Sequence, residues 1–130
     1  DILLLKNGQD VVNNDGILVK NSEATLDPPP PRSYAYCSDT IYRPETTFFV
    51  AGVDLLYHET TFLDDQLDRA KKTYHTTARQ ASEIAKAANV KTLLIGHFSA
   101  RYNDLNMFLD EAKPGFANCL LATDGKKIKI

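Results

Sequence analysis

Three short apolar runs in this chain end on residues that can hold a metal or move a proton. Tyr34–Cys37 runs into Ser38, Asp39 and Thr40, Val53–Tyr57 into His58, Glu59, Thr60 and Thr61, and Thr92–Gly96 into His97. Neutral imidazole and carboxylate together form a natural donor set for zinc or manganese. A carboxylate has two oxygens, so Asp39 could bridge a pair of metal ions. Glu59 and His75 suit a different role, because a carboxylate that orients an imidazole fixes its tautomer and raises its basicity. Ser99 and Arg101 follow His97 in the run GHFSARY, Gly96–Tyr102, and offer a hydroxyl and a guanidinium to a phosphate. Gly96 removes a side chain beside His97, so backbone or a metal could approach closely. Each residue also has a plainer reading: a satisfied structural histidine, a turn aspartate, an ion pair for Arg101, an ordinary buried His–Glu hydrogen bond. The chemical reading therefore requires that the three strands be neighbours.

The elements that would position these groups can be read from periodicity. Short apolar runs without a helical period, each closed by a polar group, read as buried strands. In open α/β sheets chemistry collects beyond the carboxyl ends of such strands. Ile2–Leu5 and Gly16–Val19 also read as strands, separated by turn-forming Asn7-Gly8 and Asn13–Gly16. Pro28–Pro31 cannot join a central strand and reads as a stiff surface connector. Pro44–Ala51 is a short helix or turn crossing to the strand Val53–Tyr57. From Leu63 the pattern turns helical, with Asp64, Asp65 and Asp68 early and Arg69, Lys71 and Lys72 late, as a helix dipole favours. A second helix is capped by Thr76 or Thr77, puts Ala78, Ala81, Ile84, Ala85 and Ala88 on one face, and stops at Asn89. Leu105, Phe108, Leu109 and Ala112 mark a third helix, ended by Pro114-Gly115. Phe116–Ala122 and Lys127–Ile130 read as closing strands. Strands alternating with helices predict an α/β layered domain.

Length and composition bound the rest. A chain of 130 residues, 43% hydrophobic and 25% charged, is expected to fold as one globular domain with its own core. A net charge of −2 gives no electrostatic footprint for nucleic acid on this chain alone. Two widely separated cysteines, Cys37 and Cys119, make neither a zinc motif nor a disulfide framework and predict reduced thiols in a cytoplasmic chain. The longest apolar runs are strand-sized, so no membrane partner is expected. The chain enters its first apolar run directly from Asp1, which reads as a chain entered in mid-fold, a fragment.

Five motifs in order resemble the carboxyl-terminal half of ribonuclease Z, the transfer-RNA 3′-processing endonucleases of the metallo-β-lactamase superfamily. They are SDT at Ser38–Thr40, HETTF at His58–Phe62, YHTTARQA at Tyr74–Ala81, GHFSARY at Gly96–Tyr102 and LATDG at Leu121–Gly125. HETTF and GHFSARY are the most specific of these, and the resemblance covers nearly the whole chain. It implies a fold class: α/β, the carboxyl-terminal half of a metallo-β-lactamase αββα sandwich, with one mixed sheet and helices on one face. It also implies that residues 1–130 form half of a domain, because the family's HxHxDH segment is absent from this sequence.

By the same resemblance Asp39 corresponds to the aspartate bridging two zinc ions and His97 to the last histidine ligand. Glu59 and His75 correspond to the family's linked proton-transfer pair, and His58 to a supporting residue of the same motif. A catalytic zinc normally holds three protein ligands plus water, so Asp39 and His97 do not complete two sites by themselves. The implied activity is zinc-dependent removal of 3′ trailers from precursor transfer RNA by the parent protein, with manganese an alternative metal. The isolated chain is then expected to be inactive, to bind metal weakly or not at all, and to self-associate, as a homodimer or otherwise, through the bared face of its sheet. Two other readings stand beside this one. One is a different metallo-β-lactamase-fold phosphodiesterase or hydrolase. The other is a non-catalytic α/β binding module, in which Asp39 and His97 would lie far apart and Glu59 would not approach His75.

Overall fold

Residues 2–130 are described by a computed structural model and divide into two compact units, one ending at Pro31 and one spanning Arg32–Ile130. The boundary falls at the end of the four prolines, where regular pairing is least available. In the first unit, helix α1 (Ile2–Lys6) precedes an antiparallel hairpin of β1 (Val11–Val12) and β2 (Leu18–Val19), followed by the single turn α2 (Asn21–Ala24). The strand expected at Ile2–Leu5 is thus a helix. Three consecutive leucines favour that state, and the available hairpin pairing is between Val11–Val12 and Leu18–Val19. Asn13 shapes the hairpin turn, its Oδ1 accepting the N–H groups of Asp15 at 3.0 Å and Ile17 at 2.9 Å.

The second unit carries β3 (Tyr34–Cys37), α3 (Thr46–Phe49), β4 (Leu55–Glu59) and a 3₁₀ turn at Asp64–Gln66 leading into α4 (Leu67–Lys72). It continues through α5 (Ala78–Ala87), β5 (Thr92–Gly96), α6 (Asn106–Ala112) and β6 (Cys119–Leu121). Its sheet has the order β3-β4-β5-β6, and every pairing is parallel. The expectation of a mixed sheet is corrected here. Each connection between neighbouring strands contains a helix and returns the chain to the same end of the sheet, which gives parallel pairs. Lys127–Ile130 forms no strand, and within Phe116–Ala122 only Cys119–Leu121 pairs. Lysines at 126, 127 and 129 leave that last segment little apolar surface to bury.

Strand alternation sorts the side chains between two faces. Leu56, Leu93, Ile95 and Cys119 are buried with Ala78, Ala81, Ile84, Ala85, Phe108 and Ala112 in one hydrophobic cluster. The alanine face of α5 lets that helix approach the sheet closely. Its start is fixed by a capping box between Thr77 and Gln80, and Asn89, at φ 51°, lies just beyond its end. The opposite face of the sheet carries Tyr34, Tyr36 and Tyr57. Tyr36 and Tyr57 are register partners whose rings stack at 4.6 Å and 15°, yet Tyr34 is 51% exposed and Tyr36 63%. Among the described residues no helix is long and apolar enough to cross a membrane.

Candidate active site

Parallel pairing brings the ends of β3, β4 and β5 to one edge. The register aligns Cys37 with His58 and Glu59 with Gly96, so Asp39, Glu59 and His97 emerge close together. His75 arrives from the α4–α5 connection, where its N–H bonds the Ala70 carbonyl at 2.8 Å. The connection is pinned to the sheet edge by a parallel bridge between Phe62 and Thr77 and by Ala78 N–H on the Phe62 carbonyl at 3.0 Å. As a result, one donor atom each from Asp39, Glu59, His75 and His97 lies within 4.8 Å of the others. The separation that a non-catalytic module would have shown is not found.

The backbone is held in unusual conformations at this edge. Four non-glycine residues among those described have left-handed φ: Asp39 at 54°, Tyr74 at 61°, Asn89 at 51° and His97 at 62°. Two of them belong to the cluster and Tyr74 precedes His75, whereas Asn89 serves to stop a helix. Such conformations cost on the order of 1–3 kcal/mol each and persist where surrounding bonds over-determine them.

The four side chains are not equivalent. Glu59 is fully buried and receives five hydrogen bonds. Oε1 accepts from Thr40 N–H at 3.2 Å, Thr76 N–H at 3.2 Å and His75 Nδ1 at 2.9 Å. Oε2 accepts from Thr61 N–H and the Thr61 hydroxyl, both at 2.9 Å. A carboxylate so saturated could bind a metal only by giving up those donors, so Glu59 is suited to orienting His75. His75 Nδ1 lies nearest to Glu59 and farther from Asp39 Oδ1, at 3.4 Å. Asp39 is mostly exposed and His97 is exposed, which leaves their donor atoms accessible from outside. The donor set therefore fits a metal through Asp39 and His97, with Glu59–His75 beside it.

The remaining sequence candidates fall around this cluster. Ser99 N–H bonds the Thr61 carbonyl at 3.1 Å, and Ser99 Oγ accepts from Arg101 Nε at 3.0 Å. The Arg101 guanidinium lies over the Phe62 ring at 5.2 Å, and Phe62 meets His75 edge-on at 5.9 Å. The alternative of an Arg101 ion pair is not realised among the described residues: no carboxylate pairs with it. Gly96 has a different reason from the one expected. A Cβ there would lie 2.6 Å from Tyr57 Oη, so the missing side chain makes room for the tyrosine. His58 is fully buried, donates from Nδ1 to the Glu59 carbonyl at 2.8 Å, and leaves Nε2 without a partner. Burial lowers its pKa from the ordinary histidine value, against the opposing pull of Glu59. Thr61 is the residue the sequence did not single out. Its hydroxyl reaches Glu59, His75 and His97, and the only sign of it in the sequence is a small hydroxyl residue two places after a buried glutamate.

Comparison with known proteins gives this geometry a family. No family model matches the chain. Ribonuclease Z of Bacteroides fragilis is 52% identical over 126 residues, and that of Phocaeicola vulgatus is 54% identical over 126 residues. Each match takes in 97% of this chain and 41% of the relative, so the chain spans about two fifths of the length of these proteins. Among solved structures, human tRNase Z, short form, aligns with a TM-score of 0.57 at 28% identity, covering 87% of this chain and 36% of the other. The metallo-β-lactamase fold protein YhfI from Bacillus subtilis aligns with a TM-score of 0.68 at 27% identity, covering 73% of this chain and 39% of the other. Over nearly its whole length the chain is similar to these ribonuclease Z proteins, and it carries the metallo-β-lactamase fold of the structural neighbours.

Proposed function

We propose that this chain is the carboxyl-terminal half of the catalytic domain of a zinc-dependent endoribonuclease that removes 3′ trailers from precursor transfer RNA. The observation that carries the reading is the convergence of Asp39, Glu59, His75 and His97 within 4.8 Å at one sheet edge, in a chain 52% identical to a ribonuclease Z. Asp39 and His97 would hold metal, zinc in the first instance, with manganese suited to the same oxygen and nitrogen donors. The other ligands would come from the family's HxHxDH segment, outside this sequence. When bound, the metal supplies a Lewis acid and an activated water for displacement at phosphorus.

The chain's own residues supply the remaining steps. Glu59 holds His75 by its Nδ1–H, so that in the imidazolium form His75 would give its Nε2 proton to the departing ribose oxygen and revert to the neutral Nδ1–H tautomer. Arg101, without an ion pair among the described residues and braced by Ser99 and Phe62, would hold a phosphate of the substrate together with Ser99. The bared face of Tyr34 and Tyr36 would be covered by the rest of the domain in a full-length protein, and by a second copy when the chain is alone, as a homodimer. The free cysteines suit a reducing cytoplasm.

A second reading is a related metallo-β-lactamase-fold phosphodiesterase with another substrate, favoured by the higher TM-score of 0.68 to YhfI. One experiment separates them, performed on the full-length protein that contains this chain. Asp39→Asn keeps a residue that tolerates left-handed φ while removing the charge. It should lower bound metal and cut precursor cleavage by on the order of 10²–10³-fold. Wild-type metal content and cleavage in that variant would remove Asp39 from the site. A wild-type protein that hydrolyses generic phosphodiesters but spares precursor transfer RNA would favour the second reading.

A further inference from the structure

The Thr61 hydroxyl has one proton and three neighbours. Oγ1 lies 2.9 Å from Glu59 Oε2, 2.8 Å from His97 Nδ1 and 3.1 Å from His75 Nδ1. A hydroxyl donates once and accepts through two lone pairs, whereas a carboxylate oxygen only accepts. The single proton therefore goes to Glu59, whose other four partners are likewise donors. Both lone pairs of Oγ1 are left facing imidazole nitrogens. His75 gives its Nδ1–H chiefly to Glu59 Oε1, at the shorter 2.9 Å. His97, whose Nδ1 lies 2.8 Å from Oγ1, meets an acceptor there and must present N–H.

We infer that Thr61 is a positioning residue that fixes His97 as the Nδ1–H tautomer and so keeps the Nε2 lone pair free to bind metal. The hydroxyl relays the orientation of one carboxylate to two histidines. Glu59 orients His75 directly and His97 through Thr61. Partners of this kind, which set the tautomer and ring angle of a ligating histidine, typically change metal affinity 10–100-fold when removed. The consequence for metal rests on the assignment of His97 as a ligand; the tautomer itself does not.

The test uses the metal-free chain, labelled with ¹⁵N in its three histidines, in alkaline buffer. Long-range ¹H–¹⁵N spectra should show His97 with a protonated Nδ1 and an unprotonated Nε2. Thr61→Val should shift His97 towards the other tautomer, and Thr61→Ser should preserve the wild-type pattern. In the full-length protein, zinc affinity measured by chelator competition should fall about 10–100-fold for Thr61→Val and little for Thr61→Ser. A protonated Nε2 in the wild-type chain would overturn the inference, as would a Thr61→Val variant with unchanged tautomer and unchanged zinc affinity. Should Thr61→Val fail to fold, the wild-type and Thr61→Ser spectra still decide. Zinc affinity that is indifferent to Asp39→Asn would instead refute the metal assignment, leaving the spectra to judge Thr61 separately.

Discussion

Replacing Glu59 by glutamine exchanges one carboxylate oxygen for an NH₂ group at the centre of the site, and the cost can be worked from its five hydrogen bonds. Glutamine must put its oxygen on one side and its NH₂ on the other. With the oxygen at Oε1, the N–H groups of Thr40 and Thr76 and the Nδ1–H of His75 keep an acceptor. The NH₂ then faces Thr61, whose hydroxyl can turn to accept from it, but whose backbone N–H at 2.9 Å loses its partner. The reverse placement strands two backbone N–H groups and His75, so the first is preferred. One buried, unpaired N–H costs about 1–3 kcal/mol. Losing the charge on the acceptor of the remaining bonds removes about 1 kcal/mol more, since charge-assisted bonds are roughly twice as strong as neutral ones. The expected loss is thus about 2–4 kcal/mol. With a slope of about 2 kcal/mol per molar urea, the unfolding midpoint of the metal-free chain falls by about 1–2 M. Followed by circular dichroism at neutral pH, a midpoint within a few tenths molar of wild type would show that this bond network does not stabilise the fold. The turned hydroxyl would also donate to His97 Nδ1, so the same variant should carry the altered His97 tautomer.

Three further outcomes follow from the packing and charges. Gly96→Ala puts a Cβ 2.6 Å from Tyr57 Oη and 2.8 Å from Cε2, so the ring must leave its stack on Tyr36; tyrosine fluorescence should change and stability fall by about 1–3 kcal/mol, whereas an unaltered spectrum would contradict the contact. Burial pushes the Cys119 thiol up to about 12 and raises Cys37 as well, so alkylation near neutral pH should be slow at both in the native chain and fast in urea; rapid native labelling of Cys119 would refute its burial. Asp54 is held well below its ordinary pKa by Lys91 Nζ at 2.5 Å, then by the Ser33 N–H and hydroxyl. Because the folded pKa is depressed, its contribution is present above the unfolded value near pH 4 and is lost as pH falls below that; Asp54→Asn should flatten this part of the acid-stability profile, and an unchanged profile would contradict the pairing.

Signals confined to a few neighbouring residues were legible in the sequence. Thr77 and Asn89 bound α5 because capping and left-handed termination depend on local residues, and the alanines between them mark the buried face by period alone. The strand ends at Cys37 and Gly96 were likewise visible as apolar runs that stop on polar residues, whereas β4 runs on to Glu59, past the end expected at Tyr57. What escaped depends on partners distant in sequence. Ile2–Leu5 has the apolar run of a strand, but β1 and β2 pair with one another, and α1 results. Lys127–Ile130 alternates like a strand and yet joins no ladder. Parallel direction throughout the sheet is set by how the helical crossovers return the chain, which no single segment encodes. Gly96 shows the same limit within a site: glycine marks a close approach, but only the fold reveals that Tyr57 makes it.

Thr61 illustrates why the site was half legible. Charged and imidazole side chains announce possible chemistry by type, so Asp39, Glu59, His75 and His97 could be picked out one by one. A threonine announces nothing, being as common in strands and turns as in sites. Its importance arises because parallel register aligns Glu59 with Gly96, which brings His97 beside the segment that follows Glu59. The Phe62–Thr77 bridge then fixes His75 against the same segment. A side chain two residues beyond the glutamate is therefore the one short enough to sit between both rings and still reach the carboxylate. The strained backbone at Asp39 and His97 fits this account, since both lie just past a strand end where the chain must turn at once to stay within the cluster. Hydrogen bonds from Thr40, Thr61 and Thr76, all converging on one buried carboxylate, are what hold those turns in place. The fold thus invests its least replaceable interactions in Glu59, and the exposed groups around it inherit their geometry from that buried centre.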